Sequence, residues 1–227
     1  MSADGGGPMP KHEPVIRSGA RPKRRRAPAL PPSERRQIIV QAAIPLLARH
    51  GRQVTTAQIA AAAGVAEGTI FRVFPDKLSV LNGCLEHVLD TTRLEGELEA
   101  ASGRPTIERR LEATVEALHR HLSRVLPVAL ALGIVTARTA VDEEHHGVTA
   151  ASHAVMLTAL VAHHLRAEAG SFRSSPVTVA RLLVGLVFGS AFQEAHSGIP
   201  YLGSRMVARM VLDGVRRDCI AVSGSKP

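Results

Sequence analysis

The side chains that could do chemistry fall into two groups, one rich in histidine and the other rich in threonine and cationic residues. The chain has 11 histidines, and the ones that could serve as metal ligands are His119/His121, His145/His146, His153 and His163/His164. Adjacent residues of a helix point about 100° apart, so neighbouring histidines cannot easily chelate one ion. We therefore predict no metal site and no cofactor, and we expect structural, surface or pocket-polar roles for these histidines.

The run Asp142, Glu143, Glu144, His145 and His146 keeps one enzymatic alternative open, a helical metal-dependent hydrolase. The sequence contains no P-loop, no HExxH motif and no Ser-His-Asp nucleophile elbow. We therefore predict that the protein is not an enzyme. A scattering of the histidine side chains over the surface would argue further against the hydrolase.

The second group lies between residues 55 and 77. Thr55 followed by Gln58 has the form of a capping box, which predicts a short helix over 56–63. Gly64 supplies a turn, and a second short helix is expected from residue 66 or 67 to Phe74. Glu67, Gly68, Thr69, Arg72 and Val73 would then face outward. Since the major groove is about 12 Å wide and admits one helix, this pattern predicts a helix-turn-helix that binds DNA.

The spacing of these residues resembles the DNA-binding domain of the TetR family of bacterial transcriptional regulators. The residues that carry the resemblance are Thr55, Ile59, Ala60, Ala63, Gly64, Val65, Gly68, Thr69, Phe71, Phe74 and Lys77. They cover about 25 residues, and the predicted three-helix unit extends the match to 33–80. Elsewhere the chain matches the family only in helical character and size.

The resemblance implies a role for each outward residue. Thr55, Thr56 and Thr69 would hydrogen-bond phosphates, and Lys77 would bind one by charge and helix dipole. Phe71 stands where the family often has tyrosine, so it keeps the packing ring and loses the hydroxyl. Val73 stands where a tyrosine or histidine often contacts phosphate, so that contact is absent.

Two side chains are candidates for base recognition, and both have alternatives. Arg72 suits guanine O6 and N7, although it could instead bind only phosphate. Glu67 could accept a hydrogen bond from cytosine N4, although stabilising the N-terminus of its own helix is the favoured role.

The positive charge is confined to the N-terminal third. The net charge is +8; residues 1–80 hold 13 Lys and Arg against 5 Asp and Glu, and residues 81–227 hold 15 of each. The glycine- and proline-rich composition of residues 1–32 predicts a flexible basic arm. Arg24, Arg25 and Arg26 of this arm would bind DNA, either by non-specific attraction, which is favoured, or by entering an adjacent minor groove.

Helical periodicity, with no stretch of alternating residues, predicts an all-α fold. We expect a first helix over 34–50, capped by Ser33 and loosened at Pro45, and a longer helix after Asp76. Further helices are predicted at 105–124, 126–140, 148–168, 175–194 and 204–221, with one break at Pro127. The domains would be 33–80 for DNA binding and 81–227 for the rest.

The resemblance implies that residues 81–227 bind an effector and dimerise. The predicted pocket residues are Leu118, Leu122, Met156, Leu160 and Phe188, and the predicted dimerisation residues are Gly185, Gly189, Phe192, Val207, Met210, Val211 and Gly214. Each of these side chains could instead fill the core of the protomer. The scarcity of aromatic residues, 3% of the chain, favours an aliphatic pocket.

The sequence thus predicts a cytoplasmic, homodimeric regulator that is a repressor released from a palindromic operator by a small, lipophilic effector. The two cysteines in no CxxC spacing favour a reducing compartment, and no apolar run reaches the roughly 20 residues of a membrane span. The alternative within the same class is a dimeric regulator with no small-molecule effector.

Overall fold

The computed structural model describes residues 31–134 and 150–215, and over these residues the chain is all-α, as predicted. The described α-helices are α1 (Pro32–His50), α2 (Thr56–Ala63), α3 (Glu67–Ile70), α4 (Lys77–Leu89), α5 (Thr92–Ser102), α6 (Ile107–Ala131), α7 (Ala150–His164), α8 (Pro176–Ser197) and α9 (Ser204–Val215). Short 3-10 helices follow α1 (Gly51–Gln53) and α7 (Leu165–Ser171).

The first helix forms as expected, with one correction at its start. It begins at Pro32, so Ser33 lies inside the first turn and is not its cap. Proline suits this position because its missing N–H would have no helical partner there. Pro45 is accommodated inside the helix, and Gly51, with φ of 56°, ends it.

The second helix of the predicted DNA-binding unit, α3, is shorter than predicted. After α3 the chain continues in tight turns, in which the N–H groups of Val73 and Phe74 both donate to the carbonyl of Ile70, at 3.0 and 2.9 Å. Pro75 follows and cannot continue the helix.

A helix break that the sequence analysis missed separates α4 from α5. Asp90 Oδ1 accepts hydrogen bonds from the N–H of Thr92, at 2.9 Å, and from its hydroxyl, at 2.7 Å. When a side chain accepts from a backbone N–H in this way, it replaces the helical hydrogen bond at that point. The helix then ends there, and a new one can start.

The break predicted at Pro127 is wrong, because α6 runs through it to Ala131. Proline costs the helix one hydrogen bond. Its neighbours Leu126, Val128 and Ala129 are buried, and their burial offsets that loss. The predicted ends of the helices over 126–140 and 204–221 lie partly outside the described residues.

The described helices enclose two apolar clusters, and α6 contributes to both. The larger cluster joins α5, α7, α8 and α9 to the first five turns of α6. The smaller one joins α1, α2, α3 and α4 to Val125, Val128, Ala129 and Leu132 at the other end of α6. The predicted DNA-binding unit therefore packs directly on α6, which also contributes to the larger cluster.

One described helix, α8, is long and apolar enough to pass a length and composition test for a membrane span. A core helix passes the same test, and α8 packs against α6, α7 and α9. A single helix of this kind is weak evidence for a membrane protein.

Candidate nucleic-acid interface

The turn between α2 and α3 is built by local interactions that the sequence encodes. The Thr55 hydroxyl accepts from the Gln58 N–H at 3.2 Å, and the Gln58 side chain accepts from the Thr55 N–H at 2.9 Å. This is the predicted capping box. Gly64 ends α2 in the left-handed conformation, with φ of 67°, which side chains other than glycine disfavour.

A closed apolar seam fixes the two short helices against each other. Ile59 and Ile70 are fully buried, Ala60 nearly so, and Ala63 and Val65 are half-buried at the edge. Phe74 is also buried, which confirms the core role favoured for it. Because Ala60 is small, the backbones of α2 and α3 can approach closely.

The opposite face of the unit is open. Glu67, Gly68 and Arg72 are exposed, Thr69 is half-buried, and half of the Phe71 surface is accessible. An exposed phenylalanine amid polar residues is a large apolar surface that the protomer itself leaves uncovered. Of the residues predicted to face outward, Glu67, Gly68 and Arg72 are exposed, whereas Val73 is half-buried against the smaller cluster, so its outward prediction is wrong.

Two of these predicted DNA contacts bind each other in the free protein. The hydroxyl of Thr56, in the first turn of α2, donates to Glu67 Oε1 at 2.5 Å. The carboxylate of Glu67 therefore lies at the N-terminus of α2, where the sequence analysis expects a phosphate.

Lys77, at the start of α4, is also held in place. Its ammonium donates to the carbonyl of Arg52 at 2.7 Å, across the gap between α4 and the 3-10 helix after α1. Asp76 caps α4 by accepting from the N–H and hydroxyl of Ser79, both at 2.7 Å. These hydrogen bonds lower the pKa of Asp76. The predicted phosphate-binding lysine therefore has a defined position.

The packing between α1 and α4 holds Phe74, which lies just beyond the end of α3. The Arg36 guanidinium lies 4.3 Å from the centre of the Phe74 ring, and it also forms an ion pair with Glu86 at 3.6 Å. Gly83 permits this close approach, since a Cβ there would lie 3.2 Å from Phe74 Cε1. The sequence analysis singled out neither Arg36 nor Gly83, because their partners are distant in the chain.

The predicted effector residues do not share one environment. Leu118 and Leu122 are buried in the larger cluster, Leu160 and Phe188 are half-buried at its edge, and Met156 is 41% exposed. Two described surface clefts, of about 460 and 300 Å³, lie elsewhere, one between α6 and α9 and one between α1 and α4. The effector assignment of these residues stays a prediction.

The predicted dimerisation residues lie on two sides of α8 and α9. Val207 and Val211 are buried within the protomer, and Phe192 is half-buried. Gly185, Gly189, Met210 and Gly214 are exposed. The sequence analysis missed three exposed apolar neighbours of this second set, Leu182, Leu186 and Met206. The spacing of 182, 185, 186 and 189 along one helical stripe could have indicated Leu182 and Leu186.

Two of the described histidines, His121 and His153, pair with each other, while His119 pairs with a glutamate. His121 and His153 are buried, and their Nε2 atoms lie 3.0 Å apart across α6 and α7. Burial, with the neighbouring His153, lowers the pKa of His121 to about 4, and burial lowers that of His153. Both are therefore neutral at pH 7. Within 31–134 and 150–215, no cluster of three or more His, Cys, Asp or Glu could hold a metal ion.

His119 forms a polar cluster at the surface with Ser123, Glu194 and Tyr201. Glu194 Oε2 lies 2.9 Å and Ser123 Oγ 3.2 Å from His119 Nε2, and the Tyr201 ring stacks at 3.6 Å. A catalytic triad needs its nucleophile and its acid on different nitrogens of the histidine. Both groups meet the same nitrogen here, so the cluster cannot work as a triad.

Several residues predicted from the sequence lie outside the described part of the chain. They are Arg24, Arg25 and Arg26 of the basic arm, and Asp142, Glu143, Glu144, His145 and His146 of the alternative hydrolase site.

Comparison with known proteins finds a family model that matches the predicted DNA-binding unit. Residues 39–84 match the family model of bacterial regulatory proteins, tetR family, as the sequence resemblance predicted. A stretch of 58 residues is 41% identical to the nucleoid occlusion factor SlmA of Idiomarina loihiensis, covering 25% of this chain and 30% of that protein. The chain thus matches under a third of that curated relative.

Solved structures of TetR-family regulators share the fold over most of the chain. A TetR-family transcriptional regulator from Mesorhizobium loti superposes with a TM-score of 0.61 at 16% identity, covering 83% of this chain and all of that one. SmeT of Stenotrophomonas maltophilia, in complex with triclosan, gives 0.56 at 20% identity, covering 86% and 97%. NalD of Pseudomonas aeruginosa, a secondary repressor of a multidrug efflux pump, gives 0.52 at 20% identity, covering 82% and 98%. At these identities the likeness establishes the fold alone.

Proposed function

We propose that this chain, with a tetR-family DNA-binding domain at residues 39–84 and the fold of TetR-family regulators, is a dimeric repressor of transcription that a small molecule releases from its operator. One observation carries the proposal. The α2–α3 unit has a closed seam on one side and, on the other, an open face with Arg72, Thr69 and half of Phe71 accessible.

The residues of the open face would have different roles in binding DNA. Thr55, Thr56, Thr69 and Lys77 bind phosphates and fix the register of the unit on the duplex. Arg72 reads a base edge, since it is exposed among these contacts. Phe71 packs its exposed ring on the sugar-phosphate backbone.

Glu67 and the basic arm complete the proposed interface. The Glu67 carboxylate leaves Thr56 when DNA binds, because a phosphate oxygen replaces it as the acceptor of the hydroxyl. Gly68, exposed and without a side chain, lets the backbone approach the duplex. Arg24, Arg25 and Arg26 add sequence-independent attraction and salt dependence.

The exposed stripe on α8 and α9 supports a homodimer. Leu182 and Leu186 on α8, and Met206 and Met210 on α9, are 38–56% exposed, and Gly185 and Gly189 have open space where a Cβ would lie. Apolar side chains and small residues together favour close packing of helices across a two-fold axis. Such a dimer would bind a palindrome whose half-sites lie about one helical turn, or a multiple, apart.

The aliphatic larger cluster supports a lipophilic effector. SmeT is a relative in fold that was solved with triclosan, so triclosan is a practical first probe. A regulator without an effector has the same DNA interface and dimer, and the release assay separates the two.

The test begins with selection of bound duplexes from a random pool by the purified full-length chain at moderate salt. Enrichment of a palindrome supports the proposal, and no preference for any duplex refutes it. Arg72→Ala should lose about 1–3 kcal/mol of discrimination at one position, whereas Lys77→Ala should weaken all duplexes alike. Arg93→Ala, an exposed cation on α5, is the matched control and should change neither.

The dimer and the effector are tested separately. Leu186→Glu should give a monomer in sedimentation and lose the palindrome, while Val155→Glu, on a 70% exposed α7 position, should do neither. Release of the selected duplex by triclosan or another lipophilic compound supports the effector. Retention of the duplex against a broad panel of such compounds favours the regulator without one.

A further inference from the structure

The buried pair His121 and His153 is a polar contact between α6 and α7 that the DNA-binding face does not explain. His121 is 1% and His153 is 5% exposed, and their Nε2 atoms face each other at 3.0 Å between α6 and α7. Buried polar groups normally have all their hydrogen-bonding atoms satisfied. Here His153 Nδ1 is buried with no hydrogen-bond partner.

The Nε2 contact restricts where the protons lie. A neutral imidazole has one N–H and one bare nitrogen, so a hydrogen bond between two such rings needs a donor Nε2–H on one and a bare Nε2 on the other. The donor ring then has a bare Nδ1, and the acceptor ring has an Nδ1–H. Only these two arrangements are consistent with the contact.

The position of Arg124 determines which of the two proton arrangements is favoured. Its Nη2 lies 3.5 Å from His121 Nδ1. The guanidinium is always protonated and only donates, so it favours a bare nitrogen at that position and disfavours an N–H. His121 is therefore the ring that donates from Nε2, and His153 is the ring that carries its proton on Nδ1.

The result is a directed chain of hydrogen bonds, from Arg124 through His121 to His153, that ends in an N–H buried without an acceptor. A buried donor without an acceptor loses the hydrogen bond that water would give it, so a ligand acceptor at this position is favoured. We propose that His153 Nδ1–H binds a carbonyl oxygen of the effector, which is an apolar molecule with a neutral ketone, ester, lactone or amide group. A neutral carbonyl fits better than a carboxylate, because burying an unpaired charge costs far more than burying a neutral polar group.

This inference rests on the proposed function only in calling that molecule the effector. The proton positions and the binding of a carbonyl are properties of the protein without DNA. Experiments on them can therefore succeed or fail whether or not the chain binds an operator.

The first experiment determines the proton positions. In the full-length chain with ¹⁵N-labelled histidine, His153 Nδ1 should show the shift of a protonated nitrogen and His121 Nδ1 that of a bare one. Arg124→Leu should reduce this preference without unfolding the protein. The opposite pattern, with a bare His153 Nδ1, would overturn the proposal.

The second experiment uses 2-nonanone and 2-methylnonane, in which a methyl group and a hydrogen at C2 replace the carbonyl oxygen. The ketone should bind about two- to tenfold more tightly and shift the His153 Nδ1–H signal. His153→Leu should abolish this preference, and His163→Leu, an exposed position on the same helix, should retain it. Equal binding of the two probes, or no ketone-dependent change at His153, would show that only water or nothing meets this N–H and would refute the proposal.

Discussion

Replacing Gly83 by alanine tests whether close packing between α1 and α4 sets the position of the DNA-binding face. A Cβ at Gly83 would lie 3.2 Å from Phe74 Cε1, 3.3 Å from Val40 Cγ2 and 3.4 Å from Arg36 Nη2. The ring and the valine are held in the smaller cluster, so they must shift by a few tenths of an ångström. Overpacking of this kind costs about 1–3 kcal/mol, against about 1 kcal/mol gained from replacing a helical glycine.

Gly96→Ala is the matched control for this prediction. Gly96 lies in the interior of α5 and is exposed, and a Cβ added there would meet no atom within 4 Å. The same substitution should therefore stabilise the protein there by about 0.5–1 kcal/mol. The two variants should differ by about 2 kcal/mol, which corresponds to about 4–8 °C in Tm for a chain of this size.

The assay is thermal unfolding of both variants at one protein concentration, since the Tm of a dimer depends on concentration. Affinity for the selected duplex is measured alongside. Gly83→Ala should have the lower Tm and weaker DNA binding, because Phe74 supports α3. Equal stabilisation by the two substitutions would show that the α1–α4 contact is loose and would refute the reasoning.

Three further outcomes are expected. Glu67→Gln should tighten binding to all duplexes severalfold, because it removes a negative charge beside Thr56 where a phosphate is expected, and a gel-shift series at fixed salt measures this. The hydrogen bonds from Ser79 lower the pKa of Asp76 below its ordinary 3.8, so their stabilisation is fully present above that value and is lost as the pH falls through the folded-state pKa. Acid titration of stability should be flatter in Asp76→Asn, and an unchanged curve would contradict this. Burial raises the pKa of Cys84 to about 12, so its alkylation, followed by peptide mass spectrometry, should begin only on unfolding.

Local signals in the sequence were sufficient for the turn between α2 and α3. The capping box of Thr55 and Gln58 and the glycine at 64 act within a few residues of themselves, and the structure confirms both. The side of α3 that faces outward followed from the apolar spacing of Ile59 and Ile70.

Most of the remaining errors came from interactions between distant residues, and one came from a single local side chain. The rule against proline inside helices predicted a break at Pro127, but burial of its neighbours in two clusters outweighs one lost hydrogen bond. The start of α5 depends on a single side chain, Asp90, inside a sequence that otherwise continues a helix. Which of Val207 and Met210 faces the core could not be predicted without the position of α6.

Helix α6 has 25 residues that extend from one apolar cluster into the other. At about 1.5 Å per residue it is a rod roughly 37 Å long. A tilt of about 3° at one end would displace the far end by about 2 Å, which is the size of shift that separates discrete packing arrangements. Because a small tilt at one end moves the other, the residues near His153 could change during evolution and so change the effector. The DNA sequence that α3 recognises would stay the same.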